Sequence, residues 1–160
     1  MEGPVKDLGP CIIEFGSDLG PTFGDVLFRY ALESRPVHED QEGVTEVDGV
    51  FVGAVCEVEV PLTRTTLANL ASVIPGASEG TSGITVENIV GESRLANAQE
   101  LILKPIVDGV AGPETTWLTI FKASPSVDLE VTYNNEGQRV YKVIFKGYPD
   151  ATGKLWKIGP

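Results

Sequence analysis

Apolar and acidic side chains alternate strictly from Cys56 to Val60. Cys56, Val58 and Val60 would lie on one face of a strand, with Glu57 and Glu59 on the other. Successive residues of a β-strand point to opposite sides of the sheet, so a period of two predicts a strand over residues 50–60. One face of this strand would be buried, and the other would be wet and acidic.

Further strand patterns recur along the chain, separated by turn signals. The 18 glycines and 11 prolines favour many turns, which is typical of β-rich proteins. The sequence Asn134-Asn135-Glu136-Gly137 predicts a turn that closes a hairpin with arms at residues 128–133 and 138–146. In the first arm Asp128 and Glu130 share a face. The other predicted strands are residues 11–15, 24–32, 84–90, 101–107, 117–123 and 155–158.

One short helix is predicted within residues 62–74. Pro61 is expected to end the preceding strand ladder, Thr63 or Thr65 to cap the helix, and Pro75-Gly76 to end it. Leu67, Leu70, Ala71 and Ile74 fall at helical spacing. The 160 residues suffice for one domain, and no internal repeat divides them. We therefore predict a mainly β, sandwich- or barrel-like domain over residues 1–160 with one flanking helix.

Residues 33–48 form an acidic stretch between two predicted strands. Six of them are acidic, one is an arginine, and one is His38. Hairpin loops usually span about 2–5 residues, so a connection of this length is typical of a functional or disordered segment. The sequence therefore predicts a long, solvated inter-strand loop that docks on something.

The formal net charge of −11 is concentrated in the front of the chain. Residues 1–60 carry 13 acidic and 3 basic side chains, whereas residues 111–160 carry 5 and 6. Such a chain does not grip nucleic acid by neutralising phosphates. The asymmetry indicates either plain solubility or pairing of the acidic half with the basic end of a neighbouring copy.

The sequence predicts no catalytic residue, no metal ligand set and no cofactor. The single histidine, His38, lies among acidic residues in the predicted loop, and Cys11 and Cys56 lack metal-type spacing. The cysteines are interpreted as buried thiols, with a disulfide between them as the alternative. No apolar run approaches the roughly 20 residues of a membrane span, and we expect no secretory signal.

Several segments together resemble the major tail tube proteins of long-tailed bacteriophages. The segments are VHEDQEGVTEVDGVFVGAVCEVEVPLTRTTLANLASVIPG at residues 37–76, LTIFKASPSVDLEVTYNN at residues 118–135 and GYPDATGKLWKIG at residues 147–159. The resemblance covers most of the chain, through patterns of strands and turns.

This resemblance implies a structural virion protein. Six copies would form a ring whose inner sheets join into one β-barrel. Rings would stack into a tail tube that meets tape-measure, tail-tip and tail-terminator proteins. Assembly would occur in the host cytoplasm, and DNA would pass through the lumen to the host without specific binding.

Site residues follow from the same resemblance. The lumen candidates are Glu57, Glu59, Asp128 and Glu130, whose acidity would repel DNA. The candidates for contacts between rings or subunits are Glu39, Asp40, Glu42, Glu46, Asp48, Arg139, Lys142 and Lys146.

Two other classes of function stay open from the sequence. One is another virion ring or decoration protein, such as a tail terminator, a neck protein or a capsid decoration protein. The other is a β-sandwich binding module, which would need a concave patch of exposed aromatic side chains. Trp117, Tyr148 and Trp156 are the candidates for that patch.

Overall fold

The chain folds mainly into antiparallel β-strands, as the alternating patterns predict. The computed structural model describes residues 10–131, 133–137 and 139–160. The strands are β1 (Cys11–Phe15), β2 (Ser17–Asp18), β3 (Leu27–His38), β4 (Glu46–Leu62), β5 (Ala77–Glu79), β6 (Ile84–Val86), β7 (Gln99–Val107), β8 (Val110–Ala111), β9 (Leu118–Asp128), β10 (Tyr141–Tyr148) and β11 (Trp156–Ile158). The helix α1 is Leu67–Val73, and short 3-10 turns lie at Asp40–Glu42, Arg94–Asn97 and Glu114–Thr116.

The main sheet has the strand order β2-β1-β7-β9-β10-β4-β3. Strand β11 continues the sheet beside β9, and β8 pairs with the end of β7. Strands β5 and β6 form a separate small ribbon, and β6 ends at Val86, short of the strand predicted over residues 84–90.

The sheet curls so that its inner face meets itself. Phe15 on β1 and Phe145 on β10 lie 5.0 Å apart between ring centroids, although β7 and β9 separate these strands in the sheet. This closure confirms the predicted sandwich- or barrel-like fold. The buried apolar side chains of the core are Ile13, Phe15, Leu19, Cys56, Val58, Val60, Leu62, Val73, Leu101, Leu103, Ile120, Ala123, Val143 and Phe145.

The alternation in β4 is confirmed, but the strand is longer than predicted. Cys56, Val58 and Val60 are buried, whereas Glu57 and Glu59 are half-buried on the outer face. Pro61 does not end the ladder, since it pairs with Lys142 on β10. The carbonyl of Pro61 accepts from the N–H of Phe23, away from β10, so the missing N–H of the proline removes no bond from the β4–β10 ladder.

The acidic stretch is not the long loop that the sequence predicts. Strand β3 runs to His38 and β4 begins at Glu46, so only residues 39–45 lie outside the strands. Two register shifts, after Glu33 and after Val37, accommodate the pairing. Charged side chains indicate solvation, but they do not prevent the backbone of an exposed ribbon from pairing.

The helix is confirmed at Leu67–Val73, within the predicted range, but its cap is different. Thr66 is the N-cap residue, and its side chain accepts from the N–H of Asn69 at 3.2 Å. Val73 is buried and Leu70 and Ile74 pack against the core, whereas Leu67 is half exposed. The helix therefore covers one side of the core with side chains from its last turn.

The C-terminal hairpin is offset from its prediction. Strand β9 continues from Leu118 through Pro125 to Asp128, and β10 begins at Tyr141. Pro125 is tolerated because the pairing of β7 with β9 ends at Ala123, so no described strand pairs with that edge of β9 at Pro125. The Asn134 side chain accepts from the N–H groups of Glu136 and Gly137, as a tight turn requires. Residues 132 and 138 of the predicted arms lie outside the described residues.

We expect a methyl group at Gly147 to destabilise the fold. It would lie 2.8 Å from Cys56 Sγ and 3.2 Å from Ile120 Cγ2, inside the core. Gly147→Ala should lower the free energy of unfolding by about 1–3 kcal/mol in urea denaturation. Gly53→Ala in β4 is the matched control, because a methyl group there meets no atom within 4 Å. A Gly147→Ala variant as stable as the control would contradict this packing.

Candidate assembly surfaces

A two-stranded arm extends from the body of the protein. It comprises residues 32–54, the outer parts of β3 and β4 with the turn between them, and every one of these residues is exposed. Residues 46–54 alone span about 27 Å in extended conformation. An isolated hairpin is at best marginally stable in water. The arm therefore depends on its continuity with β3 and β4 in the body.

One face of the arm is the continuation of the inner, core-facing side of the sheet, and it exposes apolar side chains. Phe28 and Tyr30 on β3 pack edge-on against Trp156, with ring centroids 5.3 and 5.4 Å away. The alternation along β3 places Leu32 next on this face, where it is 56% exposed. The register shift after Glu33 sets Phe51, which is 71% exposed, opposite Ser34 on the same face.

The opposite face of the arm is also partly apolar. Val37 and Val50 pair with Asp48 and Arg35, and both valines are exposed. Exposed apolar side chains that are contiguous on one element mark interaction sites in soluble proteins. The arm is therefore the strongest candidate for a contact surface in the described part of the chain.

The tip of the arm, residues 39–45, is acidic. Glu39, Asp40 and Glu42 are exposed and form no ion pair with a described residue. Val44 at the apex is 96% exposed, and the His38 ring nitrogen lies 3.3 Å from the Thr45 carbonyl oxygen. The remaining predicted acidic contact residues, Glu46 and Asp48, lie at the outer end of β4.

Strand β3 forms an edge of the main sheet. It pairs with β4 along its length and with no other strand among the described residues. An edge of 12 residues presents a row of unpaired backbone groups, which is a template for pairing with another chain.

The predicted lumen residues lie on a face of mixed charge. Glu57 is flanked across the sheet by Arg29 on β3 and Lys146 on β10. Lys142 Nζ lies 3.0 Å from Glu59 Oε1, and the same lysine is paired in register with Asp128. Glu130 lies beyond the end of β9 and outside this face. Glu57 and Glu59 therefore share one face of β4, as the alternation predicts. Their basic neighbours on β3 and β10 were not predicted, because they depend on which strands pair.

A cleft with two arginines lies at the far end of β4. It has a volume of about 490 Å³ and is lined by Thr63, Arg64, Thr65, Gly137, Arg139 and Tyr141. The Thr63 hydroxyl donates to the Arg139 carbonyl at 3.2 Å, which joins the two segments. Arg139 was a predicted contact residue. Arg64 was missed, because only the fold brings these distant sequence positions together.

Comparison of the sequence with protein-family models and with curated proteins found no significant match. The proposed function therefore rests on the surfaces of the fold.

Among the described residues, no cluster of three or more His, Cys, Asp or Glu side chains could hold a metal ion. Cys11 and Cys56 are free thiols; Cys56 is buried as predicted, whereas Cys11 is only half-buried. Burial raises the pKa of both, aided for Cys56 by the charge of Glu57. A raised pKa keeps these thiols protonated and poorly nucleophilic at neutral pH. Of the described helices, none has the length and apolar character needed to cross a membrane.

The aromatic candidates for a binding module have partners within the chain. Trp156 packs against Phe28, and Trp117 Nε1 donates to the Gly112 carbonyl while Lys104 lies over its ring. Tyr148 lies beside Arg94 and Lys146. All three rings are half-buried and serve different parts of the structure. None of the three lines the two-arginine cleft or the clefts beside Arg94, Ala96 and Asn135.

Removing the arm should leave the body folded. Replacing residues 34–52 with Asn-Gly would join Glu33 to Gly53, which are paired in register, through a two-residue hairpin turn. Because the arm buries no side chain against the body, we expect the free energy of unfolding of the monomer, measured by urea denaturation, to stay within about 0.5 kcal/mol of the wild-type value. A large loss of stability would show that the arm supports the core.

Proposed function

We propose that this protein is a self-assembling structural subunit, and specifically the tail tube protein of a long-tailed bacteriophage. The observation that carries the proposal is the arm. It exposes Leu32 and Phe51 on one face and Val37 and Val50 on the other, and its strand β3 has an edge that pairs with no other described strand. A soluble monomer gains nothing from holding such a ribbon in water, whereas an assembly buries it.

The geometry favours contact with copies of the same chain. The edge of β3 needs a strand partner, and the apolar side chains of the arm need a surface to cover them. A contact between different patches of identical chains is heterologous, and such contacts generate closed rings or open stacks. The resemblance to tail tube proteins supplies the arrangement, with six copies in a ring and rings stacked into a tube.

In this arrangement, the outer charged face of the sheet would line the lumen of the tube. When sheets of neighbouring copies join edge to edge, one face of the resulting barrel surrounds a lumen. The proposed lumen face contains Glu57, Glu59 and Asp128, together with Arg29, Lys142 and Lys146. Three acidic and three basic side chains leave this face without a net positive charge that could hold DNA phosphates. DNA would then pass through the lumen without being held.

This function places the protein in the virion tail. Assembly would take place in the host cytoplasm, and the tube ends would meet tape-measure, tail-tip and tail-terminator proteins. A tail terminator or neck protein of related fold would form single rings, and a capsid decoration protein would bind a lattice. The number of stacked rings therefore separates these alternatives from a tail tube.

Polar substitution of the apolar side chains of the arm should prevent assembly. We expect purified wild-type protein to form rings or hollow tubes in negative-stain electron microscopy, and Leu32→Ser/Phe51→Ser to remain monomeric. Both side chains are exposed, so the monomer should lose little stability.

The matched control is Leu95→Ser/Val110→Ser, which removes similarly exposed apolar side chains outside the arm. This control should assemble normally. Wild-type protein that stays monomeric under all salt conditions would reject the proposed function, and equal assembly of both variants would reject the role of the arm.

Reversing the lumen acids should make assembled tubes retain DNA. Glu57→Lys/Glu59→Lys leaves Arg29, Lys142 and Lys146 without acidic neighbours on β4, so tubes should bind duplex DNA in a salt-dependent manner. Glu79→Lys/Glu87→Lys makes the same change of charge on exposed residues outside the main sheet. Equal DNA retention by the two variants in a filter-binding assay would contradict a lumen position for Glu57 and Glu59.

A further inference from the structure

Two arginines line the cleft at the end of β4. Arg64 and Arg139 are exposed and line the cleft together with Thr63, Thr65 and Tyr141. None of the described residues that line it carries a carboxylate, and neither arginine forms an ion pair with a described residue. The Arg139 guanidinium lies 5.3 Å from the centre of the Tyr133 ring, which restrains it beside the cleft.

The backbone at Arg64 adds to this picture. Its φ of 46° lies in the left-handed region, where residues other than glycine are uncommon. Here the next residues lead directly into the capped helix, with Thr66 as the N-cap. The turn that carries the arginine is therefore fixed between the end of β4 and the start of α1.

The acidic tip of the arm has the opposite character. Glu39, Asp40 and Glu42 fall within four consecutive residues, and all three are exposed without a described ion-pair partner. The short 3-10 turn at Asp40–Glu42 holds two of them together. The tip therefore presents three negative charges close together, whereas the cleft is lined by two positively charged side chains.

The tip and the cleft lie at opposite ends of one strand. The tip precedes Glu46, the first residue of β4, and the cleft begins just after Leu62, its last residue. A 17-residue strand has a contour length of about 50 Å. The length of β4 therefore holds the tip of a molecule away from the cleft of the same molecule.

We propose that the acidic tip of one copy docks in the Arg64/Arg139 cleft of the next copy. The proposal rests on the proposed function, and it specifies the partner of the arm. A contact between the two ends of β4 joins identical chains head to tail, as an open stack requires. It also selects, from the predicted contact residues, Glu39, Asp40, Glu42 and Arg139, and adds Arg64.

The chemistry of the cleft favours this partner over nucleic acid. Phosphate backbones are gripped by many cations in a row, whereas the cleft offers two on a chain of net charge −11. Arginine forms paired hydrogen bonds with carboxylates, and three carboxylates close together match two guanidinium groups. Exposed ion pairs are individually weak, so the contact should be sensitive to salt and should gain strength from repetition in the assembly.

Charge reversal on each side tests the docking. The tip variant is Glu39→Lys/Asp40→Lys/Glu42→Lys, and the cleft variant is Arg64→Glu/Arg139→Glu. We expect each alone to associate at least about tenfold more weakly than wild type in sedimentation velocity at about 0.05 M salt, where screening is small. The control Lys122→Glu/Lys154→Glu makes the same change of charge as the cleft variant on exposed lysines elsewhere, and should associate like wild type.

Mixing the two variants gives the decisive result. The reversed tip then meets the reversed cleft, and the native tip meets the native cleft, so an equimolar mixture should recover wild-type association. If the cleft variant fails to fold by circular dichroism, Arg64→Gln/Arg139→Gln removes the charges without reversing them and should still weaken association.

The outcomes separate the two proposals. If wild type assembles and either variant assembles equally well, or if the mixture fails to recover, the docking is overturned and the tube function stands. If wild type remains monomeric even at low salt, both proposals are overturned.

Discussion

The whole structure depends on the closure of the inner apolar face of the curled sheet. Phe15 meets Phe145 across it, and Cys56, Val58, Val60 and Leu62 of β4 line it. Buried apolar area is the main favourable term in folding, so this closure fixes the registers of β4 and β10 and the position of the capped helix. Successive residues of a strand point to opposite faces of the sheet, so each buried residue of β4 places the next residue on the outer face. The outer charged face is therefore set by the same register that buries the core.

Strand β4 belongs both to the core and to the arm. Its second half is buried in the body, and its first half forms the exposed ribbon with β3. The body therefore supplies the stability that a lone hairpin lacks, and a second copy would supply the burial that the exposed side chains lack. A single strand that reaches from the acidic tip to the two-arginine cleft sets the spacing between the two proposed contact points. Under the proposed function, assembly would continue the sheet through the same apolar burial and strand pairing that form the core.

The sequence predicted the fold best where one face of an element is buried. The alternation in β4, strands β1 and β7 and the helix all carry such a signal. The arm was missed because both of its faces are exposed, so neither periodicity nor charge reports that its backbone is paired. Pro61 was expected to end the ladder, yet it stays paired with Lys142 on β10, which only the register reveals. The order of the strands also places Arg29 and Lys146 beside Glu57. The fold likewise brings Arg64 and Arg139 to one cleft, although they are far apart in the sequence.

The central claim is that another copy of the chain covers the arm. Hydrogen–deuterium exchange of the wild-type protein at increasing concentration tests it most directly, because exchange reports which backbone groups become protected. The account predicts that amides of residues 32–54 become protected as assemblies form, while those of β7 and β10 are protected at every concentration. Exchange in the arm that stays equally fast in monomers and in assemblies would contradict the account.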